Sequence, residues 1–284
     1  MEHMDAKYRL LNNTGIPVLG FGTYKITDEA EAEASVREAI RLGYRHVDTA
    51  AFYNNEAAVG RAIRAAMAEN GLSREDLFVT SKVWKTENTY DKVMASFDKT
   101  MADLGIGYLD LYLVHWPSSY VFDDNWKETN REVWSAMIDI YKSGRVRAIG
   151  VSNFLTHHLD TIIDMEVIPM VDQIEINPGF LQKETVEYCQ KRGIVVEAWS
   201  PLGRGRIMNN EMLITLAEKY GVTVAQLALR WELQHDIVVL PKSVTPTRIE
   251  ENMKIFDFEI DEDDMQAMDE MEPAGASGHS PDQI

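Results

Sequence analysis

A carboxylate and a phenol lie close together in the segment Arg45–Glu56, and side chains of both types can take part in proton transfer. Asp48 ends a short β-prone run, and Tyr53 follows five residues later in a segment that leads directly into a predicted helix. Strands hold the side chains at their carboxyl ends rigidly, while the loops that follow stay open to a ligand. Taken alone, the pair is explained slightly better by a helix-capping aspartate and a half-buried tyrosine. The rest of the chain therefore decides whether this segment is a site.

Lys82 and His115 would complete a proton-donating site if the fold brings them to Tyr53. Each ends another predicted strand, although Lys82 is also explained as a solvated strand end and His115 as a hydrogen-bonded core histidine. A phenol has a pKa of about 10, which makes it a weak proton donor at neutral pH. A nearby ammonium would lower the pKa of Tyr53, and Asp48 would hold that ammonium in place. Tyr53 would then act as a general acid toward a carbonyl oxygen, which His115 would orient, or His115 would assist the proton transfer.

The sequence gives weaker support for nucleophilic or metal-dependent chemistry. Cys189, the single cysteine, lies in a predicted helix far from the strand ends, and no serine has the spacing of a nucleophile elbow. Asp48, His115 and Glu175 are candidate metal ligands, but Lys82 among them would oppose a cation. We therefore predict no metal. A proton donor that works without a nucleophile or a metal needs a source of hydride.

A basic and hydroxyl-bearing segment, Lys242-Ser243-Val244-Thr245-Pro246-Thr247-Arg248, opens a predicted helix near the end of the chain. Backbone N–H groups, the helix dipole and two cations suit a phosphate, and barrels commonly bind phosphate after their seventh and eighth strands. The alternative is a capped, solvated helix. Lys242 and Arg248, however, have the wrong sign for the amino-terminal end of the dipole unless an anion binds there. The segment therefore predicts the seat of an anionic cofactor.

Strand and helix patterns alternate along most of the chain. Strands are predicted at 20–23, 46–48, 77–82, 109–115, 146–151, 170–176, 194–198 and 237–240. Helices are predicted at 28–42, 55–69, 91–104, 128–142, 155–165, 183–192, 211–220 and 224–234, with a last one starting at Pro246. The strands are continuous apolar runs, which is typical of a parallel sheet buried on both faces.

Eight strand–helix units in 284 residues predict an α/β fold of the (β/α)8 TIM-barrel class, with an N-terminal β-hairpin (8–11 and 16–19) and a short C-terminal tail. An open doubly wound sheet would need a G-x-G-x-x-G motif after its first strand. Gly20-Phe21-Gly22-Thr23-Tyr24-Lys25 lacks the third glycine, and Gly203-Arg204-Gly205-Arg206 follows a late strand. No Pro-, Gly- or Ser-rich linker divides the chain, so we expect a single barrel domain over residues 1–284.

The carboxyl ends of the predicted strands carry further polar residues, and in a barrel the chemistry lies at these ends. Ser152-Asn153 follows the fifth strand, Gln173, Glu175 and Asn177 belong to the sixth, and Trp199-Ser200 follows the seventh. Ser152-Asn153 is also explained as a helix cap, whereas a buried amide such as Gln173 needs hydrogen-bond partners. Because all these residues fall on one face of one barrel, the pattern favours a site over unrelated local features.

The composition is that of a soluble globular protein, with 45% hydrophobic and 26% charged residues. The formal net charge of -18 argues against nucleic acid and against an anionic membrane surface as partners. With Cys189 alone no intramolecular disulfide can form, and a reducing compartment is the natural setting. No segment has the apolar length of a signal peptide core or a transmembrane helix. We therefore expect a cytoplasmic protein.

Several motifs resemble those of the aldo-keto reductases, over nearly the whole length of the chain. They are Gly43-Tyr44-Arg45-His46-Val47-Asp48-Thr49-Ala50 with Tyr53 and Asn55-Glu56, Ser81-Lys82-Val83-Trp84, His115-Trp116-Pro117, Gly150-Val151-Ser152-Asn153-Phe154 and Pro241-Lys242-Ser243. The resemblance implies a catalytic tetrad of Asp48, Tyr53, Lys82 and His115, in which Tyr53 is the general acid in reduction. It also implies NADPH bound in an extended form across the barrel mouth, without a Rossmann fold.

The same resemblance implies the cofactor contacts. By matched position these are Ser152, Asn153 and Gln173 for the carboxamide, Trp199 for stacking on the nicotinamide, Lys242, Ser243 and Arg248 for the 2′-phosphate, Glu251 and Asn252 for the adenine, and Thr23 near the ribose. Animal members usually carry Tyr at the position of Trp199. Because Thr245 stands where some relatives carry a basic residue, the resemblance implies a preference for NADPH together with weaker use of NADH.

Within the family, Trp199 and the short tail 272–282 resemble the bacterial 2,5-diketo-D-gluconate reductase-like branch. A short tail implies an open substrate pocket, and its expected aromatic rim is Tyr24, Phe52, Trp84 and Trp116. Members of this branch reduce diketogluconates, glyoxals and assorted aldehydes, so we expect a small carbonyl substrate. Oligomeric relatives carry insertions that this chain lacks, so we expect a monomeric enzyme. The alternatives are a non-catalytic NADP-binding regulatory subunit on the same fold, which the intact tetrad disfavours, and a metal-dependent barrel hydrolase or isomerase.

Overall fold

Eight parallel strands form the centre of the computed structural model, which describes residues 3–283. They are β3 (Phe21–Gly22), β4 (His46–Asp48), β5 (Phe78–Val83), β6 (Leu109–Val114), β7 (Val146–Ser152), β8 (Val171–Glu175), β9 (Val195–Trp199) and β10 (Val238–Val239). Their order in the sheet follows the chain. The sheet closes on itself, because Gly20 N donates to Val239 O at 2.9 Å and Val239 N donates to Val18 O at 2.9 Å. The strands therefore form the predicted (β/α)8 barrel.

An antiparallel hairpin covers the amino-terminal ends of the barrel strands. It consists of β1 (Lys7–Arg9) and β2 (Gly15–Pro17), with Tyr8 opposite Ile16 in the register. Ile16 is fully buried in a cluster with Phe78 and Val238, which start or lie within strands of the barrel. The predicted hairpin is thus present. It closes one end of the barrel and leaves the carboxyl ends of the strands as the open mouth.

Ten helices accompany the strands in the described part of the chain. They are α1 (Glu29–Leu42), α2 (Glu56–Asn70), α3 (Tyr90–Leu104), α4 (Trp126–Lys142), α5 (Thr156–Leu159), α6 (Lys183–Gln190), α7 (Glu211–Tyr220), α8 (Val224–Gln234), α9 (Pro246–Glu251) and α10 (Glu262–Glu270). Capping boxes form at Ser73–Asp76 and Thr223–Gln226. No helix among residues 3–283 is both long enough and apolar enough to cross a membrane.

The helix predicted over 155–165 is the main error in the sequence-based assignment. Only Thr156–Leu159 is helical, and turns follow as far as residue 164. β-branched residues at 161–163 lower the helix propensity there, and the Thr161 hydroxyl bonds to His158 O at 2.6 Å, which competes with the helical backbone pattern. Helix α10 and a 3₁₀ segment at Gly203–Asn209 were not predicted. Every other predicted strand and helix agrees with the structure within two residues.

Candidate active site

Asp48 and Lys82 form an ion pair at the mouth of the barrel, and the ammonium contacts both carboxylate oxygens. Asp48 is the last residue of β4, and Lys82 lies near the end of the adjacent strand β5. Lys82 Nζ donates to both carboxylate oxygens of Asp48, at 2.6 and 2.7 Å, and to Thr49 O at 2.9 Å. The Lys82 side chain is completely buried. Burial works to lower the pKa of Lys82, but the Asp48 carboxylate and Tyr53 outweigh it and the pKa is raised, so Lys82 remains an ammonium.

Tyr53 reaches the same ammonium because the chain turns sharply after β4. A 3₁₀ turn at Ala51–Tyr53 ends in Asn54, whose φ of 54° is left-handed. Asn55 fixes this turn, since its amide donates to Thr23 O at 3.0 Å and to Ile26 O at 3.1 Å. Lys82 Nζ lies 3.4 Å from the Tyr53 hydroxyl. Asp48, Tyr53 and Lys82 therefore lie together, as their positions at the strand ends predicted.

The pKa of Tyr53 moves in the direction opposite to the one predicted. Burial raises the pKa of Tyr53 to about 12, while the Lys82 ammonium lowers it and the Asp48 carboxylate raises it. The predicted contribution of the ammonium is thus present, but the net pKa of Tyr53 is raised rather than lowered. Desolvation of a phenolate outweighs an ammonium that is already neutralised by its own carboxylate. Tyr53 consequently keeps its proton throughout the neutral pH range.

His115 faces Tyr53 across the opening. The two rings are 5.7 Å apart between centroids and nearly perpendicular, at 77°. Burial and then the charge of Lys82 lower the pKa of His115 well below its ordinary value, so its imidazole is neutral. Its Nδ1 is buried without a hydrogen-bond partner among the described residues. A neutral imidazole beside a protonated phenol can orient a substrate oxygen by hydrogen bonding.

Four more residues predicted at the site meet at the ends of β7, β8 and β9. Ser152 Oγ donates to Gln173 O at 2.7 Å, Asn153 Nδ2 donates to Ser152 Oγ at 3.0 Å, and Trp199 Nε1 donates to Asn153 Oδ1 at 2.8 Å. Gln173 Nε2 donates to Asp48 Oδ2 at 3.0 Å and to Glu197 Oε2 at 3.1 Å. The amide of Gln173 thus has the partners that a buried amide requires.

Two side chains that lie close to the predicted site residues were missed in the sequence analysis. Glu197 is fully buried beside Gln173, and its presence in the apolar run Val195–Trp199, two residues before Trp199, was the available signal. Arg204 lies in the 3₁₀ segment with its guanidinium carbon 5.7 Å from the ring centroid of Tyr24 and 5.8 Å from that of Trp199. No local pattern separated Arg204 from an ordinary loop arginine.

A cavity of about 990 Å³ joins the tetrad to the basic segment after β10, and we call it the site cavity. Sixteen of the predicted site residues line it: Tyr24, Asp48, Phe52, Tyr53, Trp84, His115, Trp116, Ser152, Asn153, Gln173, Trp199, Lys242, Ser243, Arg248, Glu251 and Asn252. Lys82 lies behind Asp48. Thr23 is fully buried between Gly22 and Tyr24, which do line the cavity, and its hydroxyl donates to Asp48 O at 3.0 Å. Its place near the ribose of a cofactor stays a prediction.

Aromatic side chains form the walls at the tetrad end of the site cavity. Phe52 and Trp84 stack with centroids 3.8 Å apart, and Tyr24 packs 5.0 Å from Tyr53. Trp116 lies 6.5 Å from Trp199. Such walls exclude water around a reacting carbonyl.

The far end of the site cavity carries positive charge without acidic partners. Lys242 and Arg248 are both exposed, and neither side chain makes a hydrogen bond or an ion pair with any residue in 3–283. Ser243 Oγ accepts the N–H of Thr245 at 3.1 Å, just before α9. In a chain with a net charge of -18, two unpaired cations on one cavity suit an anionic ligand.

The C-terminal tail lies against the rim of the site cavity. Ser277 N donates to Glu175 at 2.9 Å, so Glu175 holds the tail and does not join Asp48 and His115 in a metal site. His279 lines the cavity. In the described residues, His157, His158 and Asp282 are the one group of His, Cys, Asp or Glu close enough to hold a metal. His158 Nδ1 accepts the N–H of Leu155 at 3.2 Å, however, which leaves the ring proton on Nε2 facing Asp282.

Comparison with known proteins places this architecture in a family. The profile of the aldo/keto reductase family matches residues 18–273. Glyoxal reductase of Bacillus subtilis (strain 168) is 45% identical over 277 residues, which are 97% of this chain and 96% of that protein. The uncharacterized oxidoreductase YtbE of the same strain is 44% identical over 281 residues, 99% of this chain and 98% of the relative. The crystal structure of an aldo/keto reductase from Brucella melitensis superposes with a TM-score of 0.85 at 40% identity, covering 93% of this chain and 98% of that one.

The chain belongs to the aldo/keto reductase family. It is accordingly an oxidoreductase that acts on carbonyl groups. A nicotinamide cofactor and a small carbonyl substrate follow from this membership.

Proposed function

We propose that this protein reduces small aldehydes and ketones to alcohols with NADPH, using Tyr53 as the proton donor. The observation that carries the proposal is the buried Asp48–Lys82 pair, with Tyr53 at 3.4 Å from Lys82 Nζ and opening on an aromatic-walled cavity. The Tyr53 hydroxyl would donate its proton to the carbonyl oxygen, and the neutral imidazole of His115 would orient that oxygen. Lys82 would stabilise the phenolate left behind, while Asp48 keeps the ammonium in place.

The cavity residues fit a dinucleotide that carries a phosphate. Unpaired Lys242 and Arg248 and the Ser243 hydroxyl match a 2′-phosphate in charge and hydrogen bonding. Trp199 offers an aromatic face at the tetrad end, where its indole N–H donates to Asn153 Oδ1 and Gln173 lines the same cavity. When bound, the cofactor would supply the hydride. We propose that Glu251 and Asn252 lie against its adenine, and that NADPH binds more tightly than NADH because the two cations favour the extra phosphate.

We further propose that the substrate is a small carbonyl or dicarbonyl compound such as methylglyoxal or 2,5-diketo-D-gluconate. The aromatic walls made by Tyr24, Phe52, Trp84 and Trp116 suit a small reactive carbonyl, and one relative is a glyoxal reductase. Placement in the 2,5-diketo-D-gluconate reductase-like branch rests on Trp199 and the short tail. A panel of these carbonyls assayed with NADPH and with NADH measures both preferences.

Replacement of Tyr53 tests the proposed function. Tyr53→Phe keeps the ring and removes the hydroxyl, so turnover is expected to fall by about 10²–10⁴-fold while thermal stability and NADPH binding stay unchanged. Quenching of tryptophan fluorescence reports NADPH binding. Tyr24→Phe is the matched control, because its ring packs against Tyr53 in the same cavity, and it should retain turnover within about threefold.

Two results would overturn the proposal. A Tyr53→Phe protein with the turnover of the wild type would remove Tyr53 from the chemistry. A wild-type protein that binds NADPH but reduces no carbonyl in the panel would instead favour the non-catalytic, NADP-binding regulatory subunit.

A further inference from the structure

A second carboxyl group, Glu197, lies inside the barrel on β9, two residues before Trp199. It is completely buried, and Val238 of β10 and Gln173 of β8 are its neighbours in the sheet register. Gln173 Nε2 donates to Glu197 Oε2 at 3.1 Å and to Asp48 Oδ2 at 3.0 Å. Glu197 Oε1 has no hydrogen-bond partner among the described residues. Glu197 is therefore linked to the tetrad through one amide.

Within residues 3–283, no cation is free to neutralise an ionised Glu197. Lys82, on β5, already donates hydrogen bonds to both carboxylate oxygens of Asp48. His46, on β4, has its Nε2 at 3.8 Å from Glu197 Oε1, but burial and the charge of Lys82 lower the pKa of His46 to about 3, so the ring is neutral. The neighbouring strands β8 and β10 add the neutral Gln173 and Val238.

The protonation state of Glu197 follows from this environment. Burial and, to a smaller extent, the charge of Asp48 raise the pKa of Glu197, while the Gln173 hydrogen bond and Lys82 lower it, and together they bring it to about 8. At neutral pH the group is thus a carboxylic acid. Its ionised form is the one that a new positive charge nearby would favour.

The proposed cofactor site would bring such a charge close to Glu197. Glu197 and Trp199 are separated by one residue on β9, so their side chains lie on the same face of the barrel wall. Gln173, proposed to hold the carboxamide, bonds directly to Glu197. The nicotinamide ring is neutral in NADPH and carries one positive charge in NADP+.

We propose that Glu197 responds to the charge of the nicotinamide ring, keeping its proton beneath the reduced cofactor and releasing it to solvent when the oxidised cofactor binds. This inference rests on the proposed function. The O–H bond of the Glu197 carboxyl breaks, the proton goes to bulk water, and the carboxylate that remains stabilises the cationic ring. Glu197 is a positioning and charge-compensating residue, since it touches neither the substrate nor the reacting atoms.

The proposal predicts a pH-dependent choice between the two cofactor forms. The NADP+ complex binds one proton fewer than the NADPH complex, so higher pH favours NADP+ over NADPH. Between the pH at which Glu197 ionises beneath NADP+ and the pH at which it ionises beneath NADPH, the ratio Kd(NADP+)/Kd(NADPH) should fall as pH rises, by at most about tenfold per pH unit. Above the second of these pH values the ratio should level off, because both complexes have then lost the same proton.

Fluorescence titrations with NADP+ and NADPH between pH 6 and 9 measure the ratio in the wild type and in Glu197→Gln. The wild-type ratio should fall by at least about tenfold across this range, whereas Glu197→Gln should hold it constant within about twofold. The glutamine oxygen can still accept the Gln173 N–H. The 2′-phosphate is common to both cofactor forms, so its own titration cancels in the ratio.

Glu232→Gln provides the matched control. Glu232, on α8, is equally buried, and burial raises its pKa well above the ordinary value. It does not line the site cavity. The Glu232→Gln protein should therefore show the same pH-dependent ratio as the wild type.

A direct proton measurement completes the test without any variant. An indicator dye in a weakly buffered solution near pH 7.5 should report proton release when NADP+ is added to the wild-type protein, and a smaller release or none with NADPH. A pH-independent ratio in the wild type, or an unchanged pH dependence in Glu197→Gln, would overturn the proposal. Failure to bind either cofactor form would instead overturn the proposed function.

Discussion

The two ends of the site cavity are built differently. At one end Tyr53 lies beside the buried Asp48–Lys82 pair, whose members come from neighbouring strands. At the other end Lys242 is exposed on a loop and Arg248 on the short helix α9. Lys82 donates three hydrogen bonds of 2.6–2.9 Å to Asp48 and Thr49. Lys242 and Arg248 have no partner within residues 3–283. Asp48 and Lys82 are thus already paired with each other, whereas Lys242 and Arg248 pair with no residue in the described part of the chain.

This difference assigns separate tasks to the two ends. Groups that move protons need fixed geometry before the substrate arrives, and strands supply it. Exposed cations cost little free energy while they stay hydrated, and a phosphate can later replace the water around them. Changes to the buried Asp48–Lys82 pair should therefore affect turnover and folding together, and changes at the basic end should affect only cofactor affinity.

The largest effect is expected from Lys82→Met. This change removes the positive partner of Asp48 and leaves a carboxylate buried in the barrel. The free energy of unfolding should fall by about 3–5 kcal/mol. Turnover should fall by about 10²–10⁴-fold. Denaturant unfolding and steady-state assays measure the two quantities.

The double variant Asp48→Asn/Lys82→Met separates stability from chemistry. Removing both charges leaves no unpaired ion, so most of the lost stability should return while turnover stays low. If turnover returned as well, the tetrad end would have a structural role only, and the assignment of separate tasks would fail.

A smaller effect is expected at the basic end, from Arg248→Ala. Loss of one charge-assisted hydrogen bond to a phosphate should weaken NADPH binding by about 10–100-fold. Binding of NADH, which lacks the 2′-phosphate, should change by less than about twofold. The unfolding free energy should stay within about 0.5 kcal/mol of the wild type, because Arg248 is exposed.

Lys254→Ala is the control for this variant. Lys254 is an exposed cation just beyond α9 that pairs with Glu250 at 2.8 Å and does not line the site cavity. It should leave the affinities for both cofactors unchanged. Equal losses for NADPH and NADH in Arg248→Ala would contradict a phosphate site at this end.

The smallest effect is expected from Asp282→Ala in the tail. Asp282 Oδ1 lies 2.9 Å from His157 Nε2 and 3.2 Å from His158 Nε2, and the Asp282 side chain is 20% exposed. Removing this acceptor should lower stability by less than about 1 kcal/mol, since the contact is partly solvated. Hydrogen exchange of the amides in 277–283 should accelerate, while turnover changes by less than about threefold. In Asp257→Ala, which removes an exposed carboxylate, exchange in the tail should match the wild type.

The order of the strands in the barrel was predictable from the sequence, and so were the strand ends that carry Asp48, Lys82 and His115. Continuous apolar strands alternating with capped helices leave few other folds, and parallel strands bring their carboxyl ends to one face. Asp48, Lys82 and His115 end successive strands, and for that reason their meeting at the mouth follows from the topology. The basic segment after β10 was visible as a local excess of charge at a helix start.

Only the tertiary structure decided the electrostatics inside the barrel and the contacts between distant segments. Burial reverses the expected change in the pKa of Tyr53, because desolvation depends on everything packed around the ring. Gln173 lies 125 residues beyond Asp48 in the chain, and its amide donates hydrogen bonds to the carboxyl groups of both Asp48 and Glu197. Local periodicity determines which residues share a face, whereas the distance between side chains far apart in the chain is set by how the strands and loops pack.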